Sequence, residues 1–410
     1  MSDAASMIAL HPASDRSLHN PKPIHKLMRL LAVAALGTAL SGCSTIRNWF
    51  GGEDNTEPPA ELTDFDATLK VVERWSESVG DGVEEQHLNI GPVVVDGRVY
   101  AASRDGTVAA LDASSGDTVW ESDTDAPISG GPGTGDSLVL VGTSDGEVLA
   151  LEMNDGVQRW RSRLSSEILA APKADGGVTV ARTVDGKLYG LASADGSRLW
   201  VRDHKVPVLS LRGNSAPTLV EGAAIAGLDD GRLVAVALDN GVSLWESRVG
   251  MPRGRTELER MVDIDGNLTV HERFIYVTTY QNEVAAVELA SGRERWRRKV
   301  SSHSGAAVDG QHVYVTGDGG AVWALDRDTG ASVWRQTALA NRAVTAPAVH
   351  ASRVVVADFQ GYVHWLDPQD GHFLARERVS SAGVLAAPLA VGNQLYVYDR
   401  AGTLTAFAIE

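Results

Sequence analysis

Ala324-Leu325-Asp326-Arg327-Asp328-Thr329-Gly330-Ala331-Ser332-Val333-Trp334 packs a strand end, a tight turn and a strand start into one stretch. Asp and Thr side chains bond back to their own backbone in turns, and Gly takes the positive φ that closes them. The stretch recurs along the chain. Gly91–Trp120, Gly131–Trp160, Ala171–Trp200, Ala216–Trp245, Asn267–Trp296, Gly305–Trp334 and Ala346–Ala375 align without gaps. The last position is Trp in every copy except Ala375. Four residues earlier stands Gly in all of them: Gly116, Gly156, Gly196, Gly241, Gly292, Gly330 and Gly371. A further copy begins at Ala387 and stops at Glu410 before its Gly-x-x-x-Trp end. Leu69–Trp75, far upstream, supplies that missing strand and its Trp. Two partial pieces that add up to one unit imply a ring closed by its own termini.

Each unit reads as alternating strands joined by turns. Arg98–Ala102 leads into Asp105-Gly106, Thr107–Asp112 into Ser115-Gly116, and Asp117–Trp120 follows. A short leading strand near Val93–Val95 brings the count to four. No segment keeps a 3.6-residue apolar period, so helices are expected to be scarce. The expectation is an all-β, eight-bladed β-propeller of four-stranded antiparallel blades, with the N-terminal strand paired into the C-terminal blade. Trp75, Trp120, Trp160, Trp200, Trp245, Trp296 and Trp334 are expected to fill the space between neighbouring blades. Their recurrence marks scaffold, not a cofactor platform.

The amino terminus reads as an address. Lys22, Lys26 and Arg29 precede the apolar run Leu30–Leu40, which is shorter than the roughly 20 residues of a spanning helix. It has the form of a secretory signal segment, residues 1–42. Met28 is an alternative start, and the choice between it and Met1 stays open. The run ends Leu40-Ser41-Gly42-Cys43, which resembles the lipobox of bacterial lipoproteins and implies lipidation of Cys43. Ser44 follows where an Asp would imply retention in the inner membrane, so the outer membrane is the expected destination. Residues 43–66, with Gly51-Gly52, Pro58-Pro59 and several acidic side chains, read as a lipidated Cys and flexible tether; residues 67–410 are the propeller.

Composition excludes several classes of function. The net charge of −16 argues against nucleic acid, which needs a basic face. One Cys in the chain excludes an intrachain disulfide and a Cys-only metal cluster. The P-loop, G-x-G-x-x-G and G-x-S-x-G motifs are absent. The eight His beyond the leader form no H-x-x-x-H pair and read as turn or strand-surface residues. The Asp-Gly pairs read as turn chemistry, because the calcium-loop spacing is missing. No catalytic residue, metal or cofactor is expected.

Function concentrates where a regular array breaks its period. The residues between successive units number 10, 10, 15, 21, 8, 11 and 11. The two long connections, Val201–Ser215 and Glu246–Gly266, are consecutive and should be neighbours on one face of the ring. The first carries Leu209, Leu211 and Arg212. The second carries Arg253, Arg255, Glu257, Glu259, Arg260, Met261, Asp263 and Asp265. Apolar anchors beside an Arg and flanked by carboxylates suit a protein-binding surface.

The repeat Ala-x-Asp-x-x-[Ser/Thr]-Gly-x-x-x-Trp resembles that of the pyrroloquinoline-quinone dehydrogenases. Those enzymes hold quinone and calcium on the propeller axis, many with a disulfide that a single Cys precludes here. The alternative reading is therefore a periplasmic quinone-dependent dehydrogenase-like propeller, and a cell-wall or signalling propeller is a third class. Val208–Thr218, Arg255–Asp265 and Gly361–Trp365 resemble the BamB family more specifically. These are lipoproteins of the outer-membrane β-barrel assembly machine, and the likeness extends over about residues 28–410. It implies a non-enzymatic scaffold that binds BamA through its periplasmic POTRA domains, and that assists folding and insertion of outer-membrane β-barrels. It also implies BamA contacts at Leu209, Leu211, Arg212, Asp263 and Asp265, a lipid anchor at Cys43, and a periplasm-facing position. Unfolded outer-membrane proteins are a second candidate partner, bound by strand addition at blade edges. Asn214, Arg253 and Arg255 depart from the family's pattern beside the contact positions.

Overall fold

Every Asp-x-x-[Ser/Thr]-Gly stretch folds into the same hairpin, and the hairpins stack around a ring. In the turn after Thr107–Asp112, the Asp112 carboxylate accepts from the Ser114 and Ser115 amides at 2.9 and 3.0 Å. The Gly116 amide then donates to the Asp112 carbonyl at 2.9 Å. Asp326 captures Thr329 in the same way. The computed structural model describes residues 57–410 apart from Glu84, Glu85 and Asn214. The signal segment and Cys43 lie outside the described residues.

The strands form eight four-stranded antiparallel sheets. Blade 1 comprises β2 (Val93–Val95), β3 (Arg98–Ala102), β4 (Thr107–Asp112) and β5 (Thr118–Asp123). Blades 2 to 7 follow in chain order. They start at β6 (Ile128–Gly135), β10 (Lys173–Asp175), β14 (Thr218–Val220), β18 (Thr269–His271), β22 (Ala306–Val308) and β26 (Ala348–His350). Blade 8 joins β30 (Leu389–Val391), β31 (Gln394–Tyr398) and β32 (Thr403–Ile409) to β1 (Val71–Ser78), so the first and last strands close the ring. Among the described residues the one helical element is the 3-10 turn Leu258–Arg260.

The core lies between blades. Leu138, Leu140, Val148 and Trp160 of blade 2, for example, pack on Ala181, Tyr189 and Leu191 of blade 3. Each repeated Trp sits at a bulge in the outermost strand, opposite a small residue: Ala110 faces Trp120, Gly190 faces Trp200 and Ala406 faces Trp75. Its indole reaches into the next blade. Trp120 Nε1 donates to the Met153 carbonyl at 3.1 Å and Trp160 Nε1 to the Ser193 carbonyl at 2.8 Å. Trp75, Trp200, Trp245, Trp296 and Trp334 make the corresponding bonds. The ring lies flat on the repeat's Gly: a Cβ on Gly156 would stand 2.5 Å from Trp120 Cε3. The Trp and Gly of the repeat are thus two halves of one contact between neighbouring blades.

The eighth seam is built differently. Blade 8 has no hairpin between its last two strands, β32 and β1, because they come from opposite ends of the propeller. A Trp at Ala375 would find neither the turn glycine nor its carbonyl. The large and small partners change places instead: Trp365 on β28 (Tyr362–Leu366) faces Ala375 on β29 (Phe373–Arg378). Trp365 is fully buried, edge-on to Phe407 of blade 8 at 5.9 Å.

Two expectations need correction. The flexible tether does not extend to residue 66. Residues 58–66 form a strap bound to blades 6 and 7, because paired arginines grip its backbone and its apolar side chains find partners. Ala60 N donates to the Ala340 carbonyl at 2.9 Å, and Arg342 and Arg376 donate to the carbonyls of Ala60 and Thr63. Phe65 stacks on Phe373 at 5.6 Å, and Leu62 packs against the core between blades 6 and 7. His350 and His364, read as surface or turn residues, are fully buried. His364 Nε2 meets Asp358 at 3.1 Å, while its Nδ1 accepts from Arg376 Nε at 3.2 Å. His350 Nδ1 accepts from the Trp365 indole at 3.2 Å.

Candidate functional site

The two long connections do meet. They run from β13 (Arg198–Asp203) to β14 and from β17 (Ser243–Arg248) to β18, so they leave neighbouring blades on one face of the ring. Leu211 N donates to Asp263 Oδ1 at 2.9 Å, and Ala216 N to Asn267 Oδ1 at 3.0 Å. Gly213 lies so close to Asp265 that a Cβ there would stand 3.0 Å from its carboxyl carbon. Arg212 spans to the preceding connection, where Glu167 accepts from its Nη2 at 2.7 Å. More than half of the Arg212 side chain remains in solvent. The assembled surface draws on blades 2 to 5.

Side chains on this surface divide into those that face out and those that support them. Val208 is 86% exposed and Leu209 is 46% exposed. Leu211 is half-buried. Residues 251–260 are exposed throughout. Their conformation is set by Glu259, whose carboxylate accepts from the Arg255 amide at 2.6 Å, while its own amide donates to the Thr256 hydroxyl. Leu258 stands 60% exposed on that projection and Met251 is 40% exposed. Side-chain amides of Gln281 and Asn282 hold the base of the projection at the carbonyls of Leu258 and Met251.

Asp263 and Asp265 do not lie in the outward layer. Asp263 is fully buried, and beyond the Leu211 bond its Oδ2 has no partner. Burial pushes its carboxyl up to about 6. Both Asp265 oxygens are enclosed without partners. Burial, reinforced by the charge of Asp263, pushes Asp265 up to about 8. The two residues support the first loop from beneath. An Asp-x-Asp motif in a polar loop looks solvent-facing in sequence, but closure against the neighbouring blade buries it.

Sequence reasoning also missed members of the site. Arg182 ends β11 (Val178–Arg182) and is buried, paired with Asp229 of blade 4. The corresponding position is small at Ala102, Gly142, Gly227 and Ala357, so a buried Arg there was a legible departure from the repeat. Ring closure adds a third long connection, residues 79–92, that counting within units leaves out. On this same face its Val83, Leu88 and Ile90 are buried, and His87 stacks on Phe359 at 6.4 Å. No helix among the described residues is long and apolar enough to cross a membrane.

Known proteins resemble this chain along nearly its whole length. The family model described as outer membrane protein assembly factor BamB matches residues 70–127, 104–336 and 333–410. The outer membrane protein assembly factor BamB of Pseudomonas aeruginosa is 46% identical over 378 residues, which is 92% of this chain and 98% of that protein. The crystal structure of BamB from Moraxella catarrhalis superposes with a TM-score of 0.76 at 28% identity, covering 83% of this chain and all of that one. The quinohemoprotein alcohol dehydrogenase of Comamonas testosteroni shares only the fold, at 14% identity and a TM-score of 0.66, over 82% of this chain and 76% of that one.

Proposed function

The chain belongs to the BamB family of outer membrane protein assembly factors, and from that premise we propose that it is a non-enzymatic scaffold subunit of the β-barrel assembly complex. It binds the periplasmic POTRA domains of BamA and assists the folding and insertion of outer-membrane β-barrels. Its anchor is a lipid on Cys43 in the outer membrane, and the propeller faces the periplasm. The observation that carries this reading is the projection of Val208, Leu209 and Arg212 from a loop that Asp263 holds from below. An apolar pair beside a mostly exposed guanidinium, on a preorganised backbone, is the composition of a binding hot spot.

Within this reading the five proposed contact residues divide by role. Leu209, Leu211 and Arg212 meet the partner. Asp263 and Asp265 act through them, as positioning residues. The dehydrogenase alternative is not favoured, because its likeness to this chain is confined to the fold.

The test is a detergent pull-down of tagged protein from membranes, wild type beside Arg212→Ala, with partners identified by mass spectrometry. The expected result is BamA with the wild type and its loss with the variant, whose circular dichroism stays unchanged. Wild type that recovers no barrel-assembly subunit refutes the proposal.

A further inference from the structure

Beneath the docking loops, three carboxylates from two different segments converge. Asp229 comes from the hairpin turn of blade 4, and Asp263 and Asp265 come from the connection between blades 4 and 5. One oxygen of each lies within 4.8 Å of the others. Carboxylates crowd in this way on solvated surfaces without consequence, but here the enclosure changes the balance. Asp229 is 5% exposed and Asp263 not at all. A buried polar atom without a partner carries its full desolvation penalty.

Oxygens of the cluster itself are such atoms. Asp263 Oδ2 is unpartnered, as are both Asp265 oxygens, while the buried Arg182 holds Asp229 through its Nη2. With all three carboxyls ionised, as a bound cation requires, Arg182 would cancel one of the three negative charges and leave two for the ion. His303, the other basic group that acts on Asp265, is itself engaged by Asp318 at 2.7 Å. The cluster therefore has oxygen ligands only, more carboxyls than Arg182 can pair with, and backbone from both long loops attached to it. Calcium takes oxygen ligands at about 2.3–2.6 Å, so two oxygens on one ion stand at most roughly 4.6–5.2 Å apart, and these carboxylate oxygens fall within that limit.

We propose that Asp229, Asp263 and Asp265 form a divalent-cation site, calcium in size, that locks the two docking loops to each other. The protein supplies three or four oxygens and water completes the shell. Because Asp263 also holds the Leu211 amide, the ion fixes the same backbone that presents Leu209 and Arg212. The effect on BamA binding rests on the docking reading above; the ion site itself does not.

The test uses the full lipoprotein in detergent micelles, stripped with chelator and titrated with calcium chloride by calorimetry. One calcium per chain is expected, in the ~10⁻⁴–10⁻³ M range of extracellular modules. Asp263→Asn and Asp265→Asn are expected to weaken it at least tenfold, with near-ultraviolet dichroism confirming the fold. In the wild type, calcium is expected to slow amide exchange at residues 209–213 and 261–266, a readout that needs no variant. Absence of heat at ~10 mM calcium, well above that range, overturns the proposal. So does binding that both variants retain. BamA capture separates the two readings. Wild type that captures BamA equally well with and without calcium, and binds no calcium, sinks the ion site and leaves the scaffold standing. Calcium binding without any BamA capture does the reverse.

Discussion

The repeat predicts Trp at position 375, and restoring it should damage the protein. A consensus substitution commonly stabilises by about 0.5–2 kcal/mol. Ala375 is 2% exposed and faces Trp365, which has no exposure at all. Ala375→Trp therefore sets two indoles across one strand pair, with no glycine turn in blade 8 to receive the second. Overpacking of this kind costs about 1–3 kcal/mol. At ~2.1 cal/mol/K per residue, a propeller of this size loses about 1.4 °C per kcal/mol, so the thermal midpoint should fall by roughly 1–4 °C. Trp365→Ala alone empties a buried indole site and should cost about 3–5 kcal/mol. The double variant Trp365→Ala/Ala375→Trp recreates the pattern of the other blades within the sheet. It still lacks the Gly-turn and the carbonyl that the other indoles meet, so it should stay clearly below wild type. Thermal unfolding followed by circular dichroism reads all three. Stabilisation by Ala375→Trp, or a double variant within about 1 °C of wild type, would refute the pairing of Trp with the next blade's turn.

Other expectations follow from the same contacts. Trp120→Ala should cost about 3–5 kcal/mol, measured by urea unfolding, since it removes a buried indole and one of the donors to the Met153 carbonyl. Leu209→Asp should abolish capture of BamA without moving the thermal midpoint, because Leu209 is half in solvent; a large drop in the midpoint would make it a packing residue instead. Arg376→Ala should free the strap, read as faster amide exchange over residues 60–69, since this one guanidinium holds the Thr63 carbonyl and covers Phe65. Burial holds the His364 imidazole below its ordinary range, so the unfolded chain takes up its proton first as pH falls. The stability this neutral His contributes is complete above about 6.5 and is lost as pH drops from there through its lowered folded value. His364→Gln should flatten that part of the stability profile, and an unchanged acid limb would exclude His364 as its source.

Legibility followed the range of the interactions. The turn Asp, the turn Gly and the bulge Trp are read from a few consecutive positions, because each acts on backbone within its own hairpin or on an identical neighbour. Repetition then carried that local reading around the ring, and the two partial units at the ends forced closure. Spacing alone also located the two long loops that meet on one face, since a lengthened connection between blades has nowhere to go but the face. Ala375 was visible as an exception, but its reason was not. The missing hairpin of blade 8 and the exchange with Trp365 exist only once the termini are paired.

The strap was misread because Pro, Gly and acidic residues describe a tether equally well whether or not Arg342 and Arg376, about three hundred residues away, hold it. Asp263 and Asp265 read as surface contacts in the sequence, but their carboxylates are enclosed. Their burial is decided by how blades 3, 4 and 5 close around Arg182 and Asp229. From the amino-acid order alone came the eight-fold ring, its closure and the position of its irregular loops, all consequences of a period that short-range chemistry enforces. Which side chains of those loops face solvent and which stand behind them came from the tertiary structure, because burial at a seam between blades depends on residues that the sequence keeps far apart.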